Sequence, residues 1–206
     1  GVGIDLNKFV PQTLEKKKEL RKQYGYSDDD FILIYAAEIN ENKNQKFLID
    51  AMKVLKDRIA NIKIIFAGTG VLKEKYEKYV RDLGLDDNVI FIGYRKDLHK
   101  LIPMCDLGVS ASIREGLGMN VIEYLACGLP VVASNNRGHK EIIKDGINGF
   151  LYEQGNFSQF VHFVEKMYYD STLRQKISEN ARKTVEKFSV QNVLKNLNNI
   201  YEGYLK

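Results

Sequence analysis

The sequence predicts an α/β domain built on a doubly wound, Rossmann-like parallel sheet of about six strands, with helices on both faces and further helices at the carboxyl end. Two observations lead to this prediction. Short runs rich in Val, Ile and Phe recur along the chain, and most of them are followed by a segment with apolar residues at helical spacing. The runs are also apolar throughout, which is typical of parallel strands that are buried on both faces.

Each element follows from its own pattern. The first predicted strand, FILIYAA at 31–37, precedes an amphipathic segment with apolar residues at 47, 48, 51, 52 and 55. Further strands are predicted at 63–68, 89–93, 106–112, 130–134 and 149–151, and helices near 72–83, 96–104, 118–127 and 138–144. From about residue 156 the pattern is wholly helical.

Composition excludes several classes of protein. The chain has 206 residues, of which 44% are apolar and 28% charged, with 16 Gly and 3 Pro. These values are typical of a globular domain and exclude a disordered or collagen-like chain. The net charge of +4 is spread along the sequence, so nucleic-acid binding is not predicted. Cys105 and Cys127 lie in apolar stretches, which favours a reducing, cytoplasmic location without disulfides.

The first residues predict a domain boundary. The segment GVGIDLNKFVP is interpreted as an extended linker that ends at Pro11, and the sequence begins with Gly1. We therefore expect residues 1–11 to be the end of an interdomain linker. Residues 12–206 would form a domain whose preceding, amino-terminal half is absent from this chain.

The loop IREGLGMN at 113–120 is the most informative segment. Doubly wound sheets bind ligands outside the carboxyl ends of their strands, where this loop is expected to lie. Gly116 and Gly118 would let the backbone approach a ligand closely, and the N–H groups of the following helix suit an anion or a sugar hydroxyl. The alternative is that both glycines only shape a tight turn, and the local pattern does not decide between these interpretations.

Charged residues near this loop are further candidates. Glu115 and Glu123 stand eight apart, a spacing that chance alone would produce, but their predicted placement brings both near one cleft. A carboxylate there could accept hydrogen bonds from a ribose diol. Lys43, in the loop after the first strand, could offer a positive charge to a phosphate.

The sequence does not predict a metal or redox cofactor. GTGVLK at 68–73 lacks the third glycine of G-x-G-x-x-G, which disfavours a nicotinamide or flavin dinucleotide. His99, His139 and His162 share no metal-ligand spacing with one another or with the cysteines. We interpret each histidine as a surface or half-buried residue.

Taken together, the loops resemble those of the donor-binding half of retaining glycosyltransferases with two Rossmann-like domains, the GT-B fold of the group 1 glycosyl transferases. The stretch from Glu115 to Val132 matches the family pattern E-G-x-G-x(4)-E-x-x-A-x-G-x-P-V-V. The opening GVGIDLNKF is similar to the linker motif N-G-V-D-x-x-x-F. The resemblance covers nearly the whole chain, and it implies that residues 12–206 are the carboxyl-terminal nucleotide-sugar-binding domain of such an enzyme.

The resemblance implies roles for individual residues. Glu123 would bind the nucleotide ribose, and Glu115 would contact the donor hexose as the candidate catalytic residue. Tyr94 and Arg95 would lie beside the base, and Lys43 would contact the diphosphate. The remaining candidate donor-binding positions are Gly116, Leu117, Gly118 and Met119, whose backbone would meet the sugar and the diphosphate.

The implied activity is transfer of a sugar from a nucleoside-diphosphate sugar, with UDP as the nucleotide, to a glycan or glycolipid with retention of anomeric configuration. No metal or other cofactor is required by this chemistry. The chain's own amino-terminal domain would supply the acceptor site, and the full enzyme would contact the inner face of a membrane peripherally.

One position departs from the family pattern. Group 1 enzymes have Arg and Lys five residues apart in the first loop, whereas this sequence has Glu38 and Lys43. Glu38 could face the diphosphate or could pair with Lys43, and we favour the pairing. Loss of the arginine also leaves open an alternative function, a non-catalytic nucleotide-binding or interaction domain of the same fold.

Two other enzyme classes are disfavoured. A glycoside hydrolase would need Glu115 and Glu123 as its acid and nucleophile, but a helix over 118–123 would place their carboxyl groups on the order of 10 Å apart. This separation is too large for a retaining hydrolase, which needs about 5 Å, and lies at the edge of the range for an inverting one. Sugar-nucleotide epimerases share the fold, but the E-G-x-G segment argues against them.

Overall fold

A six-stranded, all-parallel sheet forms the centre of the computed structural model, which describes residues 3–204. Its strands are β1 Phe31–Ala36, β2 Ile62–Ala67, β3 Val89–Gly93, β4 Leu107–Ser110, β5 Val131–Ser134 and β6 Gly149–Tyr152. They lie in the order β3-β2-β1-β4-β5-β6, and each neighbouring pair is parallel. This order confirms the predicted doubly wound sheet and places its switch point between β1 and β4.

Helices cover both faces of the sheet. Their bounds are α1 Leu14–Tyr24, α2 Gln45–Leu55, α3 Lys73–Asp82, α4 Leu98–Met104, α5 Met119–Ala126, α6 Arg137–Ile142, α7 Phe157–Tyr169, α8 Ser171–Val185 and α9 Val190–Tyr204. A short 3₁₀ turn at Glu186–Phe188 separates the last two. None of the helices formed by the described residues is long and apolar enough to cross a membrane.

The alternating side chains of β1 divide the core into two layers. Leu33 and Tyr35 belong to the layer covered by α2, α3 and α7, whereas Ile32 and Ile34 belong to the layer covered by α1, α4, α5 and α8. All four side chains are almost completely buried. This burial on both faces explains why the strand sequence is apolar at every position.

Helix α1 was not predicted from the sequence. Only Leu20 and Arg21 of this helix are buried, so its Lys- and Glu-rich sequence carries little helical periodicity. Its ends do carry signals. The Thr13 hydroxyl accepts a hydrogen bond from the N–H of Lys16 at 3.2 Å, and Gly25 ends the helix with a positive φ of 79°.

A buried ion-pair network holds α1 against the sheet. The Asp106 carboxylate accepts hydrogen bonds from Lys17 Nζ at 2.7 Å, from Arg21 Nη2 at 2.6 Å and from the N–H of Ile32 at 2.8 Å. Arg21 also donates from Nε to the Met104 carbonyl at 2.9 Å. One carboxylate therefore joins α1, the first residues of β1 and the residue preceding β4.

The amino-terminal segment packs on the domain. The N–H of Ile4 donates to the Phe188 carbonyl at 2.8 Å, and the N–H of Val190 donates to the Ile4 carbonyl at 3.0 Å. Arg182 donates to the carbonyls of Leu6 and Phe9, both at 2.7 Å. The prediction that this segment is extended is wrong at residues 5–9, because the N–H of Phe9 closes a turn on the Asp5 carbonyl.

Candidate functional site

The loops that follow β1 and β4 meet at the switch point of the sheet. The N–H of Ile113 donates to the Asn42 carbonyl at 2.8 Å, and the N–H of Arg114 donates to Asn42 Oδ1 at 3.1 Å. Asn42 Nδ2 donates back to the Arg114 carbonyl at 3.1 Å. Asn42, which was not predicted to be a site residue, therefore fixes the position of one loop relative to the other.

This contact brings Lys43 and Glu115 together. Lys43 Nζ donates to Glu115 Oε1, and the two side chains are only 21% and 11% exposed. The expected pairing of Lys43 with Glu38 is wrong. Glu38 has an exposed side chain, and only its carbonyl is engaged, accepting from Gln45 Nε2 at 2.8 Å. The bonds of Asn42 place the more buried Glu115 carboxylate beside the lysine instead.

The segment that follows β5 packs against Glu115 through Gly138. A Cβ atom placed on Gly138 would lie 2.8 Å from both the Cβ and the carbonyl oxygen of Glu115. Only glycine permits this contact without displacing the Glu115 backbone. Three loops therefore converge around the Lys43–Glu115 pair.

His139 lies in the same region and is fully buried, so the prediction of a surface or half-buried residue is wrong for it. Its Nδ1 lies 2.7 Å from the Ser134 carbonyl oxygen, and its N–H donates to Asn136 Oδ1 at 3.1 Å. Burial lowers the pKa of the imidazole, although the bond to Ser134 opposes this effect. The short α6 helix turns the histidine inward, and no pattern in the sequence indicated this.

The amino-terminal end of α5 lies near this pair. Gly118 is the N-cap residue and supplies no side-chain cap. The N–H of Met119 donates to the Leu117 carbonyl at 2.9 Å and that of Val121 to Asn120 Oδ1 at 3.0 Å, so the N–H of Asn120 is the first-turn amide without a partner among the described residues. A Cβ on Gly116 would meet no atom within 4 Å, so this glycine is not required by packing. Leu117 and Met119 flank Gly118 at the same helix end.

Glu123 occupies the second turn of α5 and is partly buried. Burial raises the pKa of its carboxyl to about 7, and the nearby positive charge of Lys8 opposes this shift. None of the described residues pairs with the carboxylate at ion-pair distance. Glu123 can therefore gain a hydrogen-bonding partner when a ligand with hydroxyl groups enters.

A cavity of about 310 Å³ opens at the carboxyl ends of β1, β2 and β3. Its lining comprises Ala36, Ala37, Glu38, Ala67, Gly68, Thr69, Tyr94, Arg95 and Leu98. A Cβ on Gly68 would lie 2.0 Å from the Ala37 carbonyl oxygen. The glycines of the GTG segment thus allow two loops to pack together at the cavity, which explains their presence without a dinucleotide fingerprint.

Arg95 is held rigidly at the edge of this cavity. Its Nε and Nη2 donate to the two carboxylate oxygens of Asp97 at 2.8 and 2.6 Å, and the Tyr24 hydroxyl donates to Asp97 Oδ2 at 2.7 Å. The Arg95 guanidinium holds the pKa of Asp97 well below its usual range. Tyr94, in contrast, is 71% exposed and has no fixed partner among the described side chains.

The predicted site residues other than Glu123 therefore fall into two groups. Lys43, Glu115 and the amino-terminal end of α5 surround the switch point, whereas Tyr94, Arg95 and Glu38 surround the cavity. Within residues 3–204, no group of three His, Cys, Asp or Glu side chains is placed to hold a metal ion.

Comparison with known sequences gives one consistent family. The profile of the family described as glycosyl transferases group 1 matches residues 16–184. The chain is 41% identical over 205 residues to "Putative glycosyltransferase EpsD" of Bacillus subtilis (strain 168), covering 100% of this chain and 54% of that protein. It is 30% identical over 206 residues to the capsular polysaccharide biosynthesis glycosyltransferase CapM of Staphylococcus aureus, covering 99% of this chain and 53% of CapM.

Solved structures agree with this result. The crystal structure of HepE from Anabaena in complex with UDP superimposes with a TM-score of 0.89 and 25% identity, covering 98% of this chain and 56% of that one. A second HepE structure contains UDP-glucose and gives a TM-score of 0.88. The chain spans about half the length of the curated relatives it matches.

Proposed function

Because this chain belongs to the glycosyl transferases group 1 family, we propose that it is the donor-binding domain of a retaining glycosyltransferase. The enzyme would move a hexose from a nucleoside-diphosphate sugar, with UDP as the nucleotide, to a glycan or glycolipid acceptor. The observation that carries the proposal is the convergence of Lys43, Glu115 and the amino-terminal end of α5 at the switch point, with a cavity at the carboxyl ends of β1, β2 and β3 on one side of it.

Each part of the donor has a chemical counterpart in this arrangement. The base would occupy the cavity beside Tyr94 and Arg95, and the ribose hydroxyls would donate to Glu123. The diphosphate would lie between the Lys43 ammonium and the amino-terminal end of α5, where the Asn120 N–H and the positive end of the helix dipole would stabilise the negative charge of the leaving group. Glu115 would then accept hydrogen bonds from the hexose.

The acceptor site belongs to a second domain in this proposal. Relatives such as EpsD are about twice as long as the segment they share with this chain, which leaves room for that domain. Residues 1–206 alone should therefore bind the donor but transfer no sugar. Robust transfer to an acceptor by this chain alone would contradict the proposal that the acceptor site lies in a second domain.

Calorimetry with UDP, GDP and a panel of UDP-hexoses tests the proposal directly. We expect saturable binding of UDP without added metal, and weaker binding of GDP. The alternative, a non-catalytic domain of the same fold, rests on Glu38 replacing the usual arginine. A nucleotide-sugar hydrolysis assay on the full-length protein separates the two, because a domain that has lost catalysis would bind UDP-sugars without cleaving them.

The pKa of Glu123 gives the site a pH dependence. Below pH 7 the carboxyl becomes protonated and loses its charge as an acceptor, so UDP affinity should fall by up to about tenfold between pH 8 and pH 6. UDP also titrates in this range, so the informative quantity is the difference between the pH profiles of UDP affinity for wild type and for Glu123→Gln. The mutant should lack the step due to the protein, and identical pH profiles would show that Glu123 does not bind the nucleotide.

Glu38 should weaken binding of the diphosphate. Since Lys43 is already paired with Glu115, the exposed Glu38 carboxylate at the cavity is left to repel an anionic ligand. Glu38→Arg should therefore tighten UDP binding by about three- to tenfold at low salt, and the gain should shrink at high salt. Uridine, which has no phosphate, serves as the control ligand. An equal gain for uridine and UDP would contradict the electrostatic explanation.

A further inference from the structure

His139 carries an unsatisfied polar atom at the candidate site. The side chain is completely buried, and its Nε2 has no hydrogen-bond partner among the described residues. Leaving a buried polar atom without a partner costs free energy, so such atoms are rare in folded proteins. A group that supplies the missing bond on binding would remove this cost.

The neighbours of Nδ1 determine what Nε2 can bind. The Ser134 carbonyl oxygen lies 2.7 Å from Nδ1 and can only accept, so Nδ1 carries the hydrogen. Asn136 Nδ2 lies 3.0 Å from the same nitrogen, but it donates to the Ser112 carbonyl at 2.9 Å and does not need Nδ1 as an acceptor. In the neutral ring, which burial favours, Nε2 is therefore a bare lone pair that needs a donor.

The position of the ring places this lone pair at the donor cleft. A Cβ on Gly118 would lie 3.1 Å from His139 Cδ2 and 3.5 Å from Nε2, so this edge of the ring packs against the backbone of Gly118 at the start of α5. The charges that act on the imidazole are Glu115 and Lys43, which pair with each other. A small displacement of Gly118, which has no side chain, would open Nε2 to a ligand.

We propose that His139 is a further donor-binding residue, whose Nε2 accepts a hydrogen bond from a hydroxyl group of the transferred sugar. A bare lone pair repels the oxygens of a diphosphate but complements an O–H group. The neighbouring Glu115 carboxylate is also an acceptor, so the two side chains together form a surface for sugar hydroxyls. This inference rests on the proposed function and adds a contact that selects the sugar rather than the nucleotide.

Substitution by asparagine tests the contact. In His139→Asn the amide N–H can still donate to the Ser134 carbonyl, whereas the acceptor at Nε2 is removed. UDP-glucose, UDP-galactose and UDP-N-acetylglucosamine are first compared on wild type, and the one that binds most tightly is chosen. The dissociation constants of UDP and of this UDP-hexose are then measured for wild type and for the mutant. The ratio of the two constants should shift about fivefold against the sugar nucleotide, the effect of losing one hydrogen bond.

The control is His162→Asn, the same change at an exposed position on α7. Its ratio should equal that of wild type. An unchanged ratio in His139→Asn would overturn the inference. If the affinities for UDP and for the UDP-hexose both fall by the same factor, His139 only supports the structure of the site. Failure of wild type to bind UDP at all would instead contradict the proposed function.

A measurement on the wild-type protein keeps the inference testable if the mutant does not fold. The ¹⁵N chemical shift of His139 Nε2 reports directly on a lone pair that accepts a hydrogen bond. We expect the hydrogen to reside on Nδ1 in the free protein and the Nε2 signal to move with the UDP-hexose but not with UDP alone. Equal shifts with both ligands, or no shift with the UDP-hexose, would overturn the assignment.

Discussion

Replacing Asp106 with alanine is expected to lower the free energy of unfolding by about 3–5 kcal/mol, the range for removing one member of a buried ion pair. Asp106 accepts hydrogen bonds from Lys17, Arg21 and the N–H of Ile32. Arg21 has a side chain only 5% exposed, so the mutation leaves a buried positive charge without its partner. Urea denaturation followed by circular dichroism measures the change.

The matched control is Asp82→Ala, which also removes an aspartate from an ion pair. Asp82 pairs with Lys78 on α3, where the two side chains are 56% and 71% exposed. Such a surface pair contributes at most about 1 kcal/mol, so Asp82→Ala should be nearly neutral. Similar losses in both mutants would show that the network around Asp106 does not hold α1 in place.

Lys43→Ala should weaken UDP binding by about 10- to 100-fold. A hydrogen bond to a charged group contributes about 1.5–3 kcal/mol, and the mutation removes the ammonium that we place on the diphosphate. It also leaves the Glu115 carboxylate unpaired at the same position, which adds repulsion to the lost attraction. Calorimetry with UDP measures the loss, and uridine should show little change.

Lys46→Ala is the control for this effect, because Lys46 lies three residues further along and pairs with Asp50 on the exposed face of α2. Its UDP affinity should remain close to that of wild type. In the double mutant Lys43→Ala, Glu115→Gln, part of the lost affinity should return as the uncompensated negative charge is removed. A double mutant that binds UDP no better than Lys43→Ala would show that Glu115 does not repel the diphosphate.

Much of the fold could be predicted because the strands are apolar at every position. The β1 sequence FILIYA contributes side chains to both core layers, and this burial on two faces produces the pattern that predicted a parallel sheet. Helix α1 could not be predicted in this way, since it is held by the Asp106 ion pairs rather than by an apolar face. Partners 85 residues apart in the chain leave no local pattern.

The candidate site could be predicted only where local sequence patterns indicate it, and not where it depends on contacts between distant residues. The loops that bear Lys43, Glu115 and Glu123 follow from strand order and the E-G-x-G pattern, whereas the partner of Lys43 depends on contacts between loops. Proximity in sequence favoured Glu38, but the hydrogen bonds of Asn42 bring Glu115 closer. His139 was misinterpreted because its burial results from the packing of α6 beneath Gly118, not from its neighbours in sequence.

The bonds that Arg182 forms with Leu6 and Phe9 have a consequence for local unfolding. Together with the hydrogen bonds of Ile4 to Phe188 and Val190, they should make the first described residues and the end of α8 open as one cooperative unit. An amide in a peripheral segment normally exchanges its hydrogen with water through local opening, without unfolding of the elements next to it. The Ile4 amide should instead exchange as slowly as the amides around Arg182, because its hydrogen bond breaks only when that whole unit opens.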